Sequence, residues 1–374
     1  MRVLFAIGTR PEAVKLAPVV DALRRRGDGF DVRICATGQH RALLDAFLRT
    51  FELTPHHELG VMRPGQPLST LVARLLEAFD RTLLAEKPDR VVVQGDTSTA
   101  FACALAAFHR GVPVCHVEAG LRTGDLAQPF PEEANRRLIA PLAALHCAPT
   151  ERARRNLLRE GVPGDRVVVT GNTVTDALRS PAAAAATPPK EVADLPAGDR
   201  LLLVTAHRRE NFGAPLREIC AAVREIVDAR PDVRVVWPLH PNPAIAPTVI
   251  ANLGRTDRVH LLEPLDYAGF IGTLKRATFA LSDSGGVQEE GPTLGRPVLV
   301  LRDATERPEG VEAGAARLVG HDRRRIVDAA LTWLDAPEAL ARAARAVDVY
   351  GDGRAAERVV DALAEVEACA EAAR

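Results

Sequence analysis

The chain has 374 residues, with 48 Lys+Arg against 49 Asp+Glu, a formal net charge of -1, 47% hydrophobic residues and 4% aromatic residues. At about 150 residues per domain the length predicts two domains, and the apolar content is ample for large cores, which excludes global disorder. The even charge balance argues against a nucleic-acid or membrane-surface protein, so an anionic ligand must be held by a local basic cluster.

The first strand is predicted at Val3–Ile7. Its apolar run is too short for a secretory h-region and Gly8-Thr9-Arg10-Pro11-Glu12 follows at once, so the expectation is a cytoplasmic protein. Further strands are expected at Val32–Ala36, Arg90–Val93, Val114–Val117, Leu145–Ala148 and Val167–Thr170. A second series runs through Leu201–Thr205, Val233–Trp237, Val259–Leu262, Phe279–Leu281 and Val298–Leu301. Helical periodicity fills the intervals, as in Ala13–Arg25, Leu68–Ala85 and Leu216–Ala229. Continuous apolar strands alternating with helices imply parallel sheets covered on both faces, hence an α/β protein. Ser180 to Gly198 is Pro/Ala-rich and reads as a linker or frayed helix, and Gly353–Arg374 as a long final helix. No apolar stretch approaches the ~20 residues of a membrane span. Six cysteines (Cys35, Cys103, Cys115, Cys147, Cys220, Cys369) lack metal spacing and read as buried free thiols of a reducing compartment.

Ligands of open parallel sheets sit at the carboxyl ends of strands, and unusual polar clusters follow the predicted strands. Gly351-Asp352-Gly353-Arg354-Ala355-Ala356 has dinucleotide spacing, but a helix precedes it and no βαβ unit follows, so it reads as a turn and bound NAD is not expected. Arg10 lies at a helix start and Lys15 about one turn in, a position that suits phosphate, or an ordinary helix start with a solvated cation. Asp96, in Gly95-Asp96-Thr97-Ser98-Thr99, fits a helix N-cap. Glu118 lies at the end of a buried strand, where an unpaired acid is costly; the plain alternative is an ion pair with Arg122. Glu132 and Arg136 stand four apart, as in a solvated helix salt bridge. His207 and His240 follow two strands in the same way, a repetition that points towards a site. In Ser282-Asp283-Ser284-Gly285-Gly286-Val287-Gln288-Glu289-Glu290, the glycines would let a diphosphate approach backbone N–H groups, and Glu290 could accept ribose hydroxyls. Arg307 adds a cation in the turn after the next strand.

Taken together, the stretches GTRPEAVKLAP, GDTST, HVEAGLRTGD, PFPEEANR, AHRREN, SDSGGVQEE and TERPEG resemble the non-hydrolysing UDP-N-acetylglucosamine 2-epimerases, from Arg2 to about Arg358. The resemblance implies two Rossmann-like domains facing a cleft, a type-B glycosyltransferase-like fold. Residues 1–171 would form the first domain, 172–355 the UDP-binding second, and 356–374 a helix returning to the first. It implies a homodimer that uses neither NAD nor metal, and the reversible conversion of UDP-N-acetylglucosamine to UDP-N-acetylmannosamine through a 2-acetamidoglucal. Asp96, Glu118, Glu132 and His207 match the family's catalytic positions, supported by Arg136. Arg10, Lys15, His240, Phe270, Ser284, Gly285, Gly286, Glu290 and Arg307 match positions around the UDP. Gln39, His40 and Gln66 match a second, regulatory UDP-sugar site. Departures at Pro67, Ala304, Ala315 and Val347-Asp348-Val349 remove no named catalytic group. The rival functions are a 2-epimerase of a modified UDP-sugar in a specialised pathway, a UDP-sugar hydrolase or glycosyltransferase on the same fold, and a silent nucleotide-sugar sensor, which would not need to keep all four catalytic positions.

Overall fold

Seven of the strands form one parallel sheet: β1 (Arg2–Ile7), β2 (Asp31–Ala36), β3 (His57–Glu58), β4 (Arg90–Gln94), β5 (Val114–Val117), β6 (Leu145–Ala148) and β7 (Val167–Val169), in the order β3-β2-β1-β4-β5-β6-β7. Six more form a second parallel sheet: β8 (Arg200–Thr205), β9 (Val233–Pro238), β10 (Val259–Leu262), β11 (Phe279–Ser282), β12 (Val298–Val300) and β13 (Ala316–Leu318), in the order β10-β9-β8-β11-β12-β13. The computed structural model describes residues 1–27, 29–38, 48–63, 65–240, 242–345 and 348–372. By contact the chain divides into two units, Met1–Ser180 with Gly351–Arg374, and Pro181–Tyr350.

The α/β expectation holds in both units. The central strands are buried on both faces, as their unbroken apolar sequences require: Val3, Leu4, Phe5, Ala6 and Ile7 are all fully buried, and Phe5 stands between Ile34 of β2 and Val92 of β4. Strand order reverses between β1 and β4 and again between β8 and β11, so each unit has a switch point at the carboxyl end of its first strand. The second unit's core gathers Leu202, Val204, Trp237, Phe279, Leu299 and Trp333 between its sheet and the helices Ala214–Ala229 and Arg323–Asp335.

Two edge strands, β3 and β13, lie outside the expected set. They are two and three residues long and carry charged side chains, so no apolar run marks them. The segment from Ser180 to Gly198 is not a linker. It contains helical turns at Pro181–Ala184 and Lys190–Ala193 and seats on the helix Tyr267–Arg276. Lys275 Nζ donates to the carbonyls of Ala183 (2.5 Å) and Ala184 (3.1 Å), and Val192 is fully buried. Gly272 makes the seat: a Cβ there would lie 2.1 Å from the Thr187 carbonyl carbon.

The Gly351–Ala356 stretch is the turn expected before the last helix, with φ +130° at Gly351 and +78° at Gly353. That helix, Ala355–Ala372, packs on Arg10–Arg26 and Thr173–Leu178 within the first unit. Asp176 caps it from outside, its carboxylate accepting the amides of Ala355 (3.2 Å) and Ala356 (2.9 Å). The five cysteines among the described side chains are buried free thiols. Among the described residues no helix is long and apolar enough to cross a membrane, and no cluster of His, Cys, Asp and Glu could hold a metal ion.

Candidate functional site

In the first unit β1 runs through Gly8-Thr9 into the helix Arg10–Arg26. Gly8 has no room for a side chain, since a Cβ would lie 2.1 Å from Thr99 Oγ1 and 2.5 Å from Thr37 Oγ1. Glu12 folds back over the helix start. Its carboxylate accepts the amides of Gly8 (3.0 Å) and Thr9 (2.6 Å) and the hydroxyls of Thr9 (2.7 Å) and Thr97 (2.7 Å). Burial nevertheless pushes its carboxyl up to about 7, against those bonds. The donors nearest this helix start, a suitable phosphate seat by sequence, are thus engaged by the chain's own acid.

Arg10 is the first helical residue and half-buried, while Lys15 is buried and ion-paired with Glu118. Glu118 follows β5 with φ +62°, a left-handed backbone that a non-glycine residue adopts only when its surroundings impose it. Its carboxylate accepts Gln94 Nε2 at 3.0 Å and Asn172 Nδ2 at 2.9 Å in addition to the Lys15 ammonium. The expected alternative of a Glu118–Arg122 pair is corrected: Arg122 makes a two-pronged pair with Glu160, at 2.8 and 2.7 Å.

Asp96 is not the helix cap. Thr97 takes that place in extended conformation, its hydroxyl accepting the Ala100 amide at 2.9 Å. Asp96 instead binds Arg136 through Oδ2, with Nε donating at 2.8 Å, and its backbone carbonyl accepts Asn135 Nδ2 at 2.8 Å. Arg136 also donates to Glu133 at 3.0 Å, and Glu133 accepts the amides of Thr123 (3.0 Å) and Gly124 (3.2 Å). Arg136 is only 3% exposed, so its interactions form a buried network and not the solvated helix surface expected there. Glu132 is half-buried at the start of the helix Glu132–Ile139. His116, at the adjoining strand end, lies 2.7 Å through Nε2 from the Gly95 carbonyl, fixing the turn that carries Asp96. Gln94 stands opposite Val117 in the sheet, so Asp96 and Glu118 leave neighbouring strands.

In the second unit Asp283 is the hub. It is fully buried after β11, and Oδ2 accepts the amides of His207 (2.8 Å) and Arg208 (2.9 Å) and Asn211 Nδ2 (2.9 Å). Oδ1 lies 3.2 Å from His207 Nδ1. Burial opposes the charge, but the His207 contact and the surrounding donors outweigh it and hold this carboxyl at about 2. The His207 ring stacks on His240, with centroids 5.2 Å apart and planes 12° from parallel. His240 Nδ1 accepts the Asn242 amide at 3.2 Å.

Ser284 precedes the helix Gly285–Thr293, and its amide donates to Ser282 Oγ at 3.0 Å. The two glycines differ. A Cβ on Gly285 would lie 2.7 Å from Arg307 Nη1, whereas on Gly286 the nearest atom would be 3.7 Å away. The first glycine makes room for Arg307, and the second leaves backbone open. Arg307 is buried and paired with Glu289 and Glu306; Arg302 bridges Glu306 (2.9 Å) and Glu210 (2.9 Å). Glu290 is buried one turn into this helix, and Phe270 is buried on Tyr267–Arg276.

Gln66 engages Arg74 through Oε1 (2.9 Å) and the Met62 sulfur through Nε2 (3.1 Å). Gln39 and His40 lie outside the described residues. The residues that sequence reasoning did not single out are the supports: Glu12, Gln94, Glu133, Asn172, Asp283 and Arg302. Position after a strand marks Asn172 and Asp283, but Asn172 reads as a helix cap, which it also is, accepting the Val174 amide at 3.1 Å.

The family model described as UDP-N-acetylglucosamine 2-epimerase matches residues 21–364. The chain is similar to the UDP-N-acetylglucosamine 2-epimerase of Salmonella typhimurium, 47% identical over 370 residues that cover 97% of this chain and 98% of that protein. It is also similar to the crystal structure of the Neisseria meningitidis UDP-GlcNAc 2-epimerase bound to UDP-GlcNAc, with TM-score 0.92, 41% identity, and coverage of 98% of this chain and 100% of that one. A glycosyltransferase of kitacinnamycin, 14% identical with TM-score 0.62 over 96% of this chain and 98% of its own, shares the fold alone.

Proposed function

The chain belongs to the UDP-N-acetylglucosamine 2-epimerase family, and from that membership we propose a division of labour between its two units in the reversible epimerisation of UDP-N-acetylglucosamine to UDP-N-acetylmannosamine. The C2 proton of an N-acetylhexosamine is not acidic enough for simple removal. UDP leaves with the electron pair of the C1–O bond as a base takes the C2 proton, and the C1=C2 bond of a 2-acetamidoglucal forms. The return adds UDP at C1 and delivers a proton to the opposite face of C2. Acid/base groups are needed on both faces, which calls for several carboxylates.

Asp96, Glu118 and Glu132 of the first unit supply those carboxylates. Arg136 holds Asp96, and Lys15, Gln94 and Asn172 hold Glu118. The family resemblance assigns Arg10 and His207 to the departing diphosphate, where a cation stabilises developing charge. Phe270, Ser284, Gly286, Glu290 and His240 of the second unit receive the UDP, with Arg307 behind Gly285 at the helix start. The observation that carries this reading is the release of Asp96 from capping: Thr97 takes the helix, leaving a carboxylate beside a buried arginine at the end of a parallel strand.

Incubation with UDP-GlcNAc in D₂O, followed by NMR, tests it. UDP-ManNAc carrying deuterium at C2 is the expected product. Free ManNAc would point to the hydrolase, and absence of exchange would remove the elimination route. We further take the enzyme to be a cytoplasmic homodimer. The free thiols fit a reducing compartment, and Leu84, Phe108 and Leu138 expose half of their surface on neighbouring helices. Sedimentation of a monomer at working concentration would sink the second part. A regulatory UDP-sugar site beside Gln66 completes the reading, and a hyperbolic rather than sigmoidal rate curve would count against it.

A further inference from the structure

His207 and His240 stack in the second unit, yet their ring nitrogens meet opposite partners. His207 Nδ1 lies 3.2 Å from the Asp283 carboxylate. That oxygen, Oδ1, is buried and accepts no hydrogen bond as the ring stands, and a nitrogen lone pair so close to it would be repelled, so Nδ1 carries the proton and the lone pair of the neutral ring is on Nε2. His240 Nδ1 accepts the Asn242 amide at 3.2 Å, so in its neutral form the proton is on Nε2. Two rings 5.2 Å apart and nearly parallel therefore present one acceptor and one donor at equivalent atoms.

Asp283 is built to impose this. Its Oδ2 is committed to three donors, the amides of His207 and Arg208 and the side chain of Asn211. Those bonds fix the carboxylate plane and leave only Oδ1 for the imidazole. The same two backbone bonds hold the turn that carries His207. We propose that Asp283 is a positioning residue for the epimerisation, fixing His207 as the Nδ1–H tautomer so that Nε2 is its basic nitrogen, opposite in polarity to the stacked His240. As UDP departs, the imidazolium gives its Nε2 proton to the leaving phosphate oxygen, and on re-addition Nε2 takes that proton back as the C1–O bond forms, the adjacent carboxylate stabilising the imidazolium. The inference rests on the reading that His207 takes part in the reaction, and it adds the group that sets its state.

The test uses the full-length enzyme labelled with ¹⁵N-histidine. At alkaline pH the wild-type His207 shifts should report Nδ1–H with a lone pair on Nε2, and those of His240 the reverse; His207→Ala and His240→Ala assign the signals among the ten histidines. Asp283→Asn keeps the shape. With its oxygen claimed by the three donors, its amide NH₂ faces Nδ1 and should flip His207 to the Nε2–H form. Turnover should then fall about 10²–10⁴-fold, with the UDP-GlcNAc KM within threefold and the thermal midpoint close to wild type. In the His207→Ala background the same substitution should lower turnover no further. A wild-type His207 carrying its neutral proton on Nε2 overturns the proposal whatever the variant does. A large further loss in the His207→Ala background also overturns it, because Asp283 would then act elsewhere. A flipped tautomer with full turnover also overturns it, because the epimerisation would not depend on the state that Asp283 sets, while full turnover in His207→Ala would instead remove His207 from the reaction.

Discussion

Arg136 Nε donates to Asp96 Oδ2 at 2.8 Å, and the same guanidinium holds Glu133 at 3.0 Å. A planar fork that serves two acids at once cannot be replaced by a point charge. Asp96→Asn is expected to abolish turnover while leaving UDP affinity within about threefold, a ratio worth less than 1 kcal/mol. Arg136→Lys should lower kcat and leave the UDP Kd unchanged, since Asp96, which it holds, is proposed to act on the sugar. Rates and UDP affinities of the two variants check this, and normal turnover in Asp96→Asn would remove that residue from the mechanism.

The Lys15–Glu118 pair is buried, with both side chains 5% exposed. Removing one partner of such a pair strands the other charge, at a typical cost of about 3–5 kcal/mol. Lys15→Met should therefore destabilise the enzyme by that order, and adding Glu118→Gln should recover part of the loss, because Gln94 and Asn172 can still find an amide partner. Denaturant midpoints of the two single variants and the double variant decide it. A double variant less stable than Lys15→Met would show that the pair is not the relevant interaction.

The two glycines at the start of Gly285–Thr293 separate folding from binding. Gly285→Ala drives a Cβ to 2.7 Å from an arginine pinned by Glu289 and Glu306, and should cost about 1–3 kcal/mol of stability. Gly286→Ala meets only ordinary contacts at 3.7 Å. It should leave the thermal midpoint near wild type yet weaken UDP about tenfold, as expected if the diphosphate rests on that backbone. Calorimetric titration with UDP reads the second effect, and an unchanged affinity would place the diphosphate elsewhere.

Much of this was legible in sequence, for physical reasons that differ by residue. Strands buried on both faces appear as unbroken apolar runs, so β1, β4, β8 and β11 were plain, while the polar edge strand His57–Glu58 left no such trace. Adjacent Asp96 and Thr97 are both good caps, and only the backbone decides which side chain turns back onto the helix. Glu118 was easy to flag as a costly buried acid. Its cation, though, lies 103 residues earlier on the helix Arg10–Arg26, while the neighbouring Arg122 goes to Glu160. The Ala-rich segment after Ser180 looked like a linker because its burial depends on Gly272, far along the chain, leaving room for Thr187 and Pro188.

His116 and His146 carry the last prediction, on pH. Burial is the main cause that lowers them, to about 3 and about 4 against an ordinary 6.5, so both are folded in the neutral form. A histidine depressed in the folded state contributes stability that is present above 6.5 and lost as pH falls towards the folded value, because the unfolded chain binds the extra proton. Glu12 has the opposite sign: raised by burial from 4.5 to about 7, it gives stability that is present below 4.5 and lost as pH rises through 7. Between about pH 4.5 and 6.5 these three groups together leave the unfolded chain about one proton ahead, so stability should fall on acidification by about 1.4 kcal/mol per pH unit. His116→Gln keeps a donor for the Gly95 carbonyl and removes one titrating ring. Its urea midpoint should be nearly flat over the same range. A variant that falls with acid as steeply as the wild type would show that His116 is protonated in the folded protein, and the turn that carries Asp96 would then hold a charge.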